Sequence, residues 1–138
     1  MASEISGSTK DLFAEIARLK AELGERITIL GHHYQPDEVI QFADYRGDSL
    51  GLSKQAAAAS APYIVFCGVV FMAETAAILC SEDQTVIQPE PKAFCPMARM
   101  TTARDAVIAW QTLQTAWGDD IIPVTYQNST AETKAFVG

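Results

Sequence analysis

The residues able to do chemistry fall in a few short stretches. Gly31-His32-His33-Tyr34-Gln35 holds the only two histidines of the chain. A histidine titrates near neutral pH and can hold an anion or move a proton, and a tyrosine can donate a hydrogen bond. The plainer alternative is a surface loop that happens to carry two imidazoles. Gly47-Asp48-Ser49 stands just before an alanine-rich run. Free N–H groups at a helix start, with a serine hydroxyl beside them, suit a phosphate or a carboxylate. An ordinary helix cap uses the same residues and is commoner. Tyr126-Gln127-Asn128-Ser129 repeats the first arrangement, a tyrosine and an amide ahead of a helix start. A plain turn with Asn128 or Ser129 as the cap accounts for it equally well.

Three cysteines complete the inventory: Cys67, Cys80 and Cys95. Cys67 ends an apolar run and reads as a buried packing residue, and Cys80 ends a helical stretch without a partner motif. Cys95 differs, because Pro89, Pro91 and Pro96 surround it and force an irregular loop. A thiolate on rigid irregular backbone is one way to present an iron–sulfur ligand. No C-x-x-C accompanies it, so spacing alone supports neither a cluster nor a zinc site. An odd cysteine number without an evident secretory signal points to free thiols in a reducing cytoplasm.

Short β runs must carry these loops. Ile27–Leu30, Tyr63–Cys67 and Thr85–Ile87 read as strands, and Ile121–Thr125 as a fourth. Helical patterns lie between them: 12–23 behind a Ser8…Asp11 capping box, 36–44, Leu50–Ser60, Phe71–Cys80 and 101–116. Another helix begins near Ser129, and residues 1–7 read as a mobile tail. Strands alternating with helices predict an α/β domain, a parallel sheet of about four strands with helices on both faces. In such a sheet ligands bind beyond the carboxyl ends of the strands. His32, Ser49, Cys95 and Tyr126 should therefore lie toward one edge.

Composition narrows the function classes. Seventeen acidic against ten basic residues give a formal charge of −7. A nucleic-acid binder needs a basic stripe, and none is visible. The longest mostly apolar stretch, 56–72, is interrupted by Ser60, Pro62 and Gly68 and is too short for a membrane span.

Taken together, Gly31-His32-His33-Tyr34-Gln35, Gly47-Asp48-Ser49-Leu50, Val65-Phe66-Cys67-Gly68-Val69, Phe71-Met72-Ala73-Glu74-Thr75-Ala76, Cys95-Pro96-Met97-Ala98 and Val124-Thr125-Tyr126-Gln127-Asn128-Ser129 resemble, in order and spacing, the N-terminal part of the quinolinate synthase family. The resemblance runs from about Ile27 to the end. It implies three similar α/β/α domains around a central cavity, of which 1–118 would be the first and 119–138 the beginning of the second. It implies a cytoplasmic transferase of NAD biosynthesis that condenses iminoaspartate with dihydroxyacetone phosphate. An enzyme supplying the iminoaspartate would be a partner in the pathway. The implied cofactor is a [4Fe-4S] cluster held by three cysteines, with Cys95 the first. His32, Tyr34, Ser49, Tyr126 and Asn128 would contact substrate, and His32 and Tyr126 would be catalytic. A chain of this length would be a partial enzyme, inactive alone. The competing expectations are a small anion-binding module without catalysis, or an assembly in which three chains each lend one cysteine.

Overall fold

The computed structural model describes residues 8–138. Residues 1–7, where the tail was expected, lie outside the described residues. Helix α1 runs Thr9–Leu23. Its start is fixed by the capping box: the Ser8 hydroxyl accepts from the Asp11 N–H, and the Asp11 carboxylate accepts from the Ser8 N–H at 2.9 Å. Gly24, at φ 53°, ends it in a conformation that glycine takes without strain.

Strand β1 (Ile27–His32) and strand β3 (Tyr63–Cys67) pair in parallel, with Ile27 opposite Tyr63 and Gly31 opposite Cys67. Strand β2 (Tyr45–Gly47) joins the outer side of β1, and strand β4 (Thr85–Ile87) the outer side of β3. The sheet is fully parallel with four strands in the order β2-β1-β3-β4. Strand alternation directs Leu30, Ile64 and Phe66 to one face, and each is completely buried. There they meet helix α3 (Ser49–Ala58) and helix α4 (Val70–Leu79), through Leu52, Ala56, Phe71 and Ala76. The small Ala56 and Ala76 allow the two helices to lie close together on the sheet.

The opposite face carries Ile27, Ile29, Val65 and Cys67 beneath α1 and the single-turn helix α2 (Asp37–Ile40). Gly31 leaves room for this packing, since a Cβ would fall 2.7 Å from Ile40 Cδ1 and 3.0 Å from Ala43 Cβ, and α2 would have to shift. Lys20 ties α1 down: its Nζ donates to the Phe42 carbonyl at 2.7 Å and pairs with the Asp44 carboxylate at 2.6 Å. Helices on both faces of a parallel sheet make the expected three-layer α/β/α domain. Helix α5 (Ala103–Trp117) follows, opened by a Thr102–Asp105 capping box, and helix α6 (Ala131–Val137) closes the described chain. Among the described residues no helix is long and apolar enough to cross a membrane.

Four expectations need correction. Ile121–Thr125 forms no strand. Its apolar run makes no ladder with a neighbouring strand, and a strand exists only through its ladder. The fourth strand is instead β2, whose Tyr45 and Arg46 are exposed and lack an apolar pattern. The helix expected over 36–44 is the single turn of α2, and the last helix starts at Ala131 behind Thr130 rather than at Ser129. Cys67 is half-buried rather than buried, because α1 covers its face of the sheet incompletely.

Candidate functional site

At the carboxyl edge of the sheet, β1, the starts of α3 and α4, the Cys95 loop and residues 126–128 surround a cavity of about 400 Å³. His32, Tyr34, Ser49, Cys95, Tyr126 and Asn128 all line it. They arrive from four separate stretches of chain. The parallel sheet explains the meeting of His32, Tyr34, Ser49 and Cys95, since every strand-to-helix connection opens on this edge, whereas Tyr126 and Asn128 follow no strand and are brought there by the packing of α6.

His32 is the last residue of β1 and is buried, with 7% of its surface exposed. Burial pushes its pKa down, the neighbouring His33 adds to this, and Asp48 opposes it. The neutral imidazole is therefore favoured, a form that can accept a proton. The His33 Nδ1 lies 2.9 Å from the Gly47 carbonyl oxygen. A carbonyl only accepts, so Nδ1 carries the proton and Nε2 is left as the acceptor in the neutral ring. Tyr34 packs its ring edge-on against both imidazoles, with centroids 4.9 Å from His32 and 4.3 Å from His33. It stands at the cavity mouth and is 84% exposed.

Ser49 is the first residue of α3, behind Asp48 as the cap. Asp48 Oδ1 accepts from the Gly51 N–H at 2.8 Å. The cap takes up one free donor and adds a negative charge beside the helix start, which tempers the anion-site reading drawn from the sequence. The start of α4 faces the same cavity through Val69 and Phe71, and no side chain caps it. Two helix N-termini thus direct partial positive charge at one space, and Arg46, whose Nη2 donates to the His33 carbonyl at 3.3 Å, lies close by.

Cys95 is half-buried against the core in a loop without regular structure. Two contacts fix that loop: the Val70 N–H donates to the Ala93 carbonyl at 2.9 Å, and the Arg99 guanidinium sits 3.9 Å above the Phe94 ring. The other thiols are elsewhere. Cys67 faces the α1 side of the sheet, and Cys80 follows α4 at the opposite edge. Burial raises the pKa of both, which disfavours the thiolate a metal needs. Among the described residues no group of three or more His, Cys, Asp or Glu is placed to hold a metal.

Tyr126 is 67% exposed and reaches the cavity beside Asn128. Both also border a larger hollow of about 620 Å³ between α5, α6 and residues 121–126. That hollow is lined mainly by apolar groups such as Trp110, Ile121 and Phe136 and holds no histidine, cysteine or charged side chain, so the titratable side chains gather on the smaller cavity. His33 and Asp48 line the smaller cavity beside the residues singled out from the sequence. Each belonged to a recognised motif; what the sequence left unsaid was that both exposed residues border the same cavity.

The chain matches the family model described as "NadA: Quinolinate synthetase A protein" over residues 14–138. It is 56% identical over 132 residues to the quinolinate synthase of Bacillus subtilis (strain 168), covering 95% of this chain and 36% of that relative. The same identity and coverage hold for the quinolinate synthase of Anoxybacillus flavithermus, and that of Geobacillus sp. (strain WCH70) is 53% identical. The chain thus spans about a third of the length of the curated relatives it matches. With the family model matched over nearly the whole chain, this protein belongs to the quinolinate synthetase A family.

Proposed function

We propose that this chain forms one wall of a quinolinate synthase active site, which condenses iminoaspartate with dihydroxyacetone phosphate to quinolinate, phosphate and water in cytoplasmic NAD biosynthesis. One observation carries the reading: six residues matching the family's motifs, from four stretches of chain, line a single cavity. Both substrates are anions, one a dicarboxylate and one a phosphate ester. Two helix N-termini with a serine and nearby imidazoles suit them, in spite of the protein's net negative charge. His32, held neutral by burial, accepts a proton in the cavity. The Tyr126 phenol donates or returns one, and Ser49, Tyr34 and Asn128 orient the substrates by hydrogen bonds.

The donor set fits a share of an iron–sulfur cluster. Cys95 is the one thiol on the cavity wall, and a cubane of this kind takes several thiolates. This chain would supply one of them, the others coming from outside it. When bound, the cluster supplies a Lewis-acid iron that polarises a substrate hydroxyl. Residues 119–138, on this reading, begin a second α/β domain.

The test is anaerobic. Full-length protein carrying these residues should form quinolinate from the two substrates, and Cys95→Ser should lose iron and activity together. Cys67→Ser should keep both. Iron retained by Cys95→Ser, or no quinolinate from the iron-loaded protein, overturns the reading.

A further inference from the structure

The stretch Phe71-Met72-Ala73-Glu74-Thr75-Ala76 contributes Phe71 and Met72 to the cavity, but its two polar residues do not reach it. They face α6 instead. The Glu74 Oε2 accepts from the Ala131 N–H, the first of α6, at 3.0 Å. Thr75 is buried, and its hydroxyl donates to the Phe71 carbonyl at 2.7 Å. Two lone pairs remain on that oxygen. Lys134 Nζ fills one at 2.8 Å and Gln127 Nε2 approaches the other at 3.4 Å. The Lys134 ammonium also lies 5.4 Å from the centre of the Phe71 ring, on the cavity wall.

These bonds matter because of what they hold. Residues 119–130 have no regular structure, yet they carry Tyr126 and Asn128. The turn is firm within itself: Ser129 Oγ donates to the Tyr126 carbonyl at 2.7 Å, and the Thr125 hydroxyl donates to Ser129 Oγ at 2.9 Å. Among the described residues, the hydrogen bonds joining residues 120–138 to the sheet and its helices all end on Glu74 or Thr75. The rest of the attachment is packing of α6 on α5 and α4, including Trp110 against Phe136. A short helix with few packing partners is weakly located by them; directional bonds to one hydroxyl and one carboxylate fix its register.

We propose that Glu74, Thr75 and Lys134 are positioning residues, a polar latch that sets Tyr126 and Asn128 against His32, Ser49 and Cys95. The inference rests on the reading of Tyr126 and Asn128 as site residues. A lysine ammonium placed in a half-buried position costs desolvation, and the pKa of Lys134 is lowered by it, with Glu74 acting in opposition.

Full-length protein made anaerobically gives the test, by steady-state kinetics. Thr75→Val keeps the shape and removes the hydroxyl. It should lower kcat by about ten- to a hundredfold, the scale of a misplacement near 1 Å. Thr75→Ser should restore kcat close to the parent. In a Tyr126→Phe, Asn128→Ala background Thr75→Val should cost little more, because the latch acts through the groups already removed. If Thr75→Val does not fold, Glu74→Ala against Glu74→Gln makes the same comparison, since glutamine keeps an acceptor oxygen for the Ala131 N–H. Additive losses in the Tyr126→Phe, Asn128→Ala background, or a Thr75→Val enzyme with unchanged kcat, overturn the latch while leaving the site reading intact. A Tyr126→Phe, Asn128→Ala double variant with parental kcat and KM overturns the site reading, and the latch falls with it.

Discussion

The two sides of the cavity are held in different ways. His32, Ser49 and Cys95 project from connections whose flanking elements are pinned by Leu30, Ile64 and Phe66, all fully buried. Tyr126 and Asn128 project from a segment whose apolar Ile122 and Val124 are each 87% exposed. One side is positioned by a core and the other by a few polar contacts and a short helix. A packed sheet edge places its loops because hydrophobic burial is cooperative and shape-specific. An extended segment without partner strands has only the groups at its ends to locate it. The difference says where the site can tolerate damage and where it cannot.

The most severe way to break this comparison is to empty the core side. Phe66→Ala removes a fully buried ring between α3, α4 and the sheet. It should destabilise the protein by about 3–5 kcal/mol, read as a lower urea midpoint. A cost near zero would mean that the sheet is not the rigid side.

A weaker perturbation acts through His32. Burial holds its folded pKa below the ordinary value of 6.5, so between the two values the unfolded chain binds a proton that the folded one does not. Stability is then complete above about pH 6.5 and falls as pH drops toward the folded pKa. The groups acting on the ring are His33, which favours the neutral form, and Asp48, which favours the charged one. Thermal melts between pH 7.5 and about pH 5 should show the decline, and His32→Asn should flatten it. An unaltered slope in that variant would show that His32 is not desolvated by the core side.

Capping offers a smaller effect. Asp48→Ala leaves the Gly51 N–H without its acceptor and should cost about 1 kcal/mol. It also removes a negative charge from the cavity rim, so binding of inorganic phosphate should tighten rather than weaken. Weaker binding would mean that Asp48 serves the ligand directly.

The same contrast governs what could be read in advance. The central strands were legible because Ile27–Leu30 and Tyr63–Cys67 are apolar on both faces, as buried parallel strands must be. The edge strand β2 was not, since Tyr45-Arg46-Gly47 takes its conformation from hydrogen bonds to β1 rather than from its own residues. Ile121–Thr125 failed in the opposite sense, with an apolar pattern and no partner. His32, Ser49 and Cys95 were legible as neighbours because one topological rule sends all strand-to-helix connections to one edge, whereas Tyr126 and Asn128 reach the cavity without a strand before them. Asp48 as the cap of α3 was legible too, being a local contact with Gly51, but that Glu74 and Thr75 would turn to α6 depends on side-chain directions across 57 and 59 residues of chain. No local pattern encodes such directions.

The smallest effect is the most discriminating. In this 138-residue chain Ile122 is 87% exposed, so Ile122→Ser removes almost no buried surface. Its cost should stay within about 0.5 kcal/mol, the range of ordinary surface substitutions. In a longer polypeptide whose own strands bond to 121–125, the same change would bury a hydroxyl and forfeit a branched side chain. The cost there should rise to about 2 kcal/mol. Urea denaturation of both forms, with Phe66→Ala as the internal reference, measures the difference directly. A large loss already in the 138-residue chain would mean that residues 121–125 are packed as firmly as the sheet, and the contrast between the two sides of the cavity would vanish. A small loss in both forms would leave the segment outside any second sheet, with Tyr126 and Asn128 dependent on Glu74, Thr75 and Lys134 for their place.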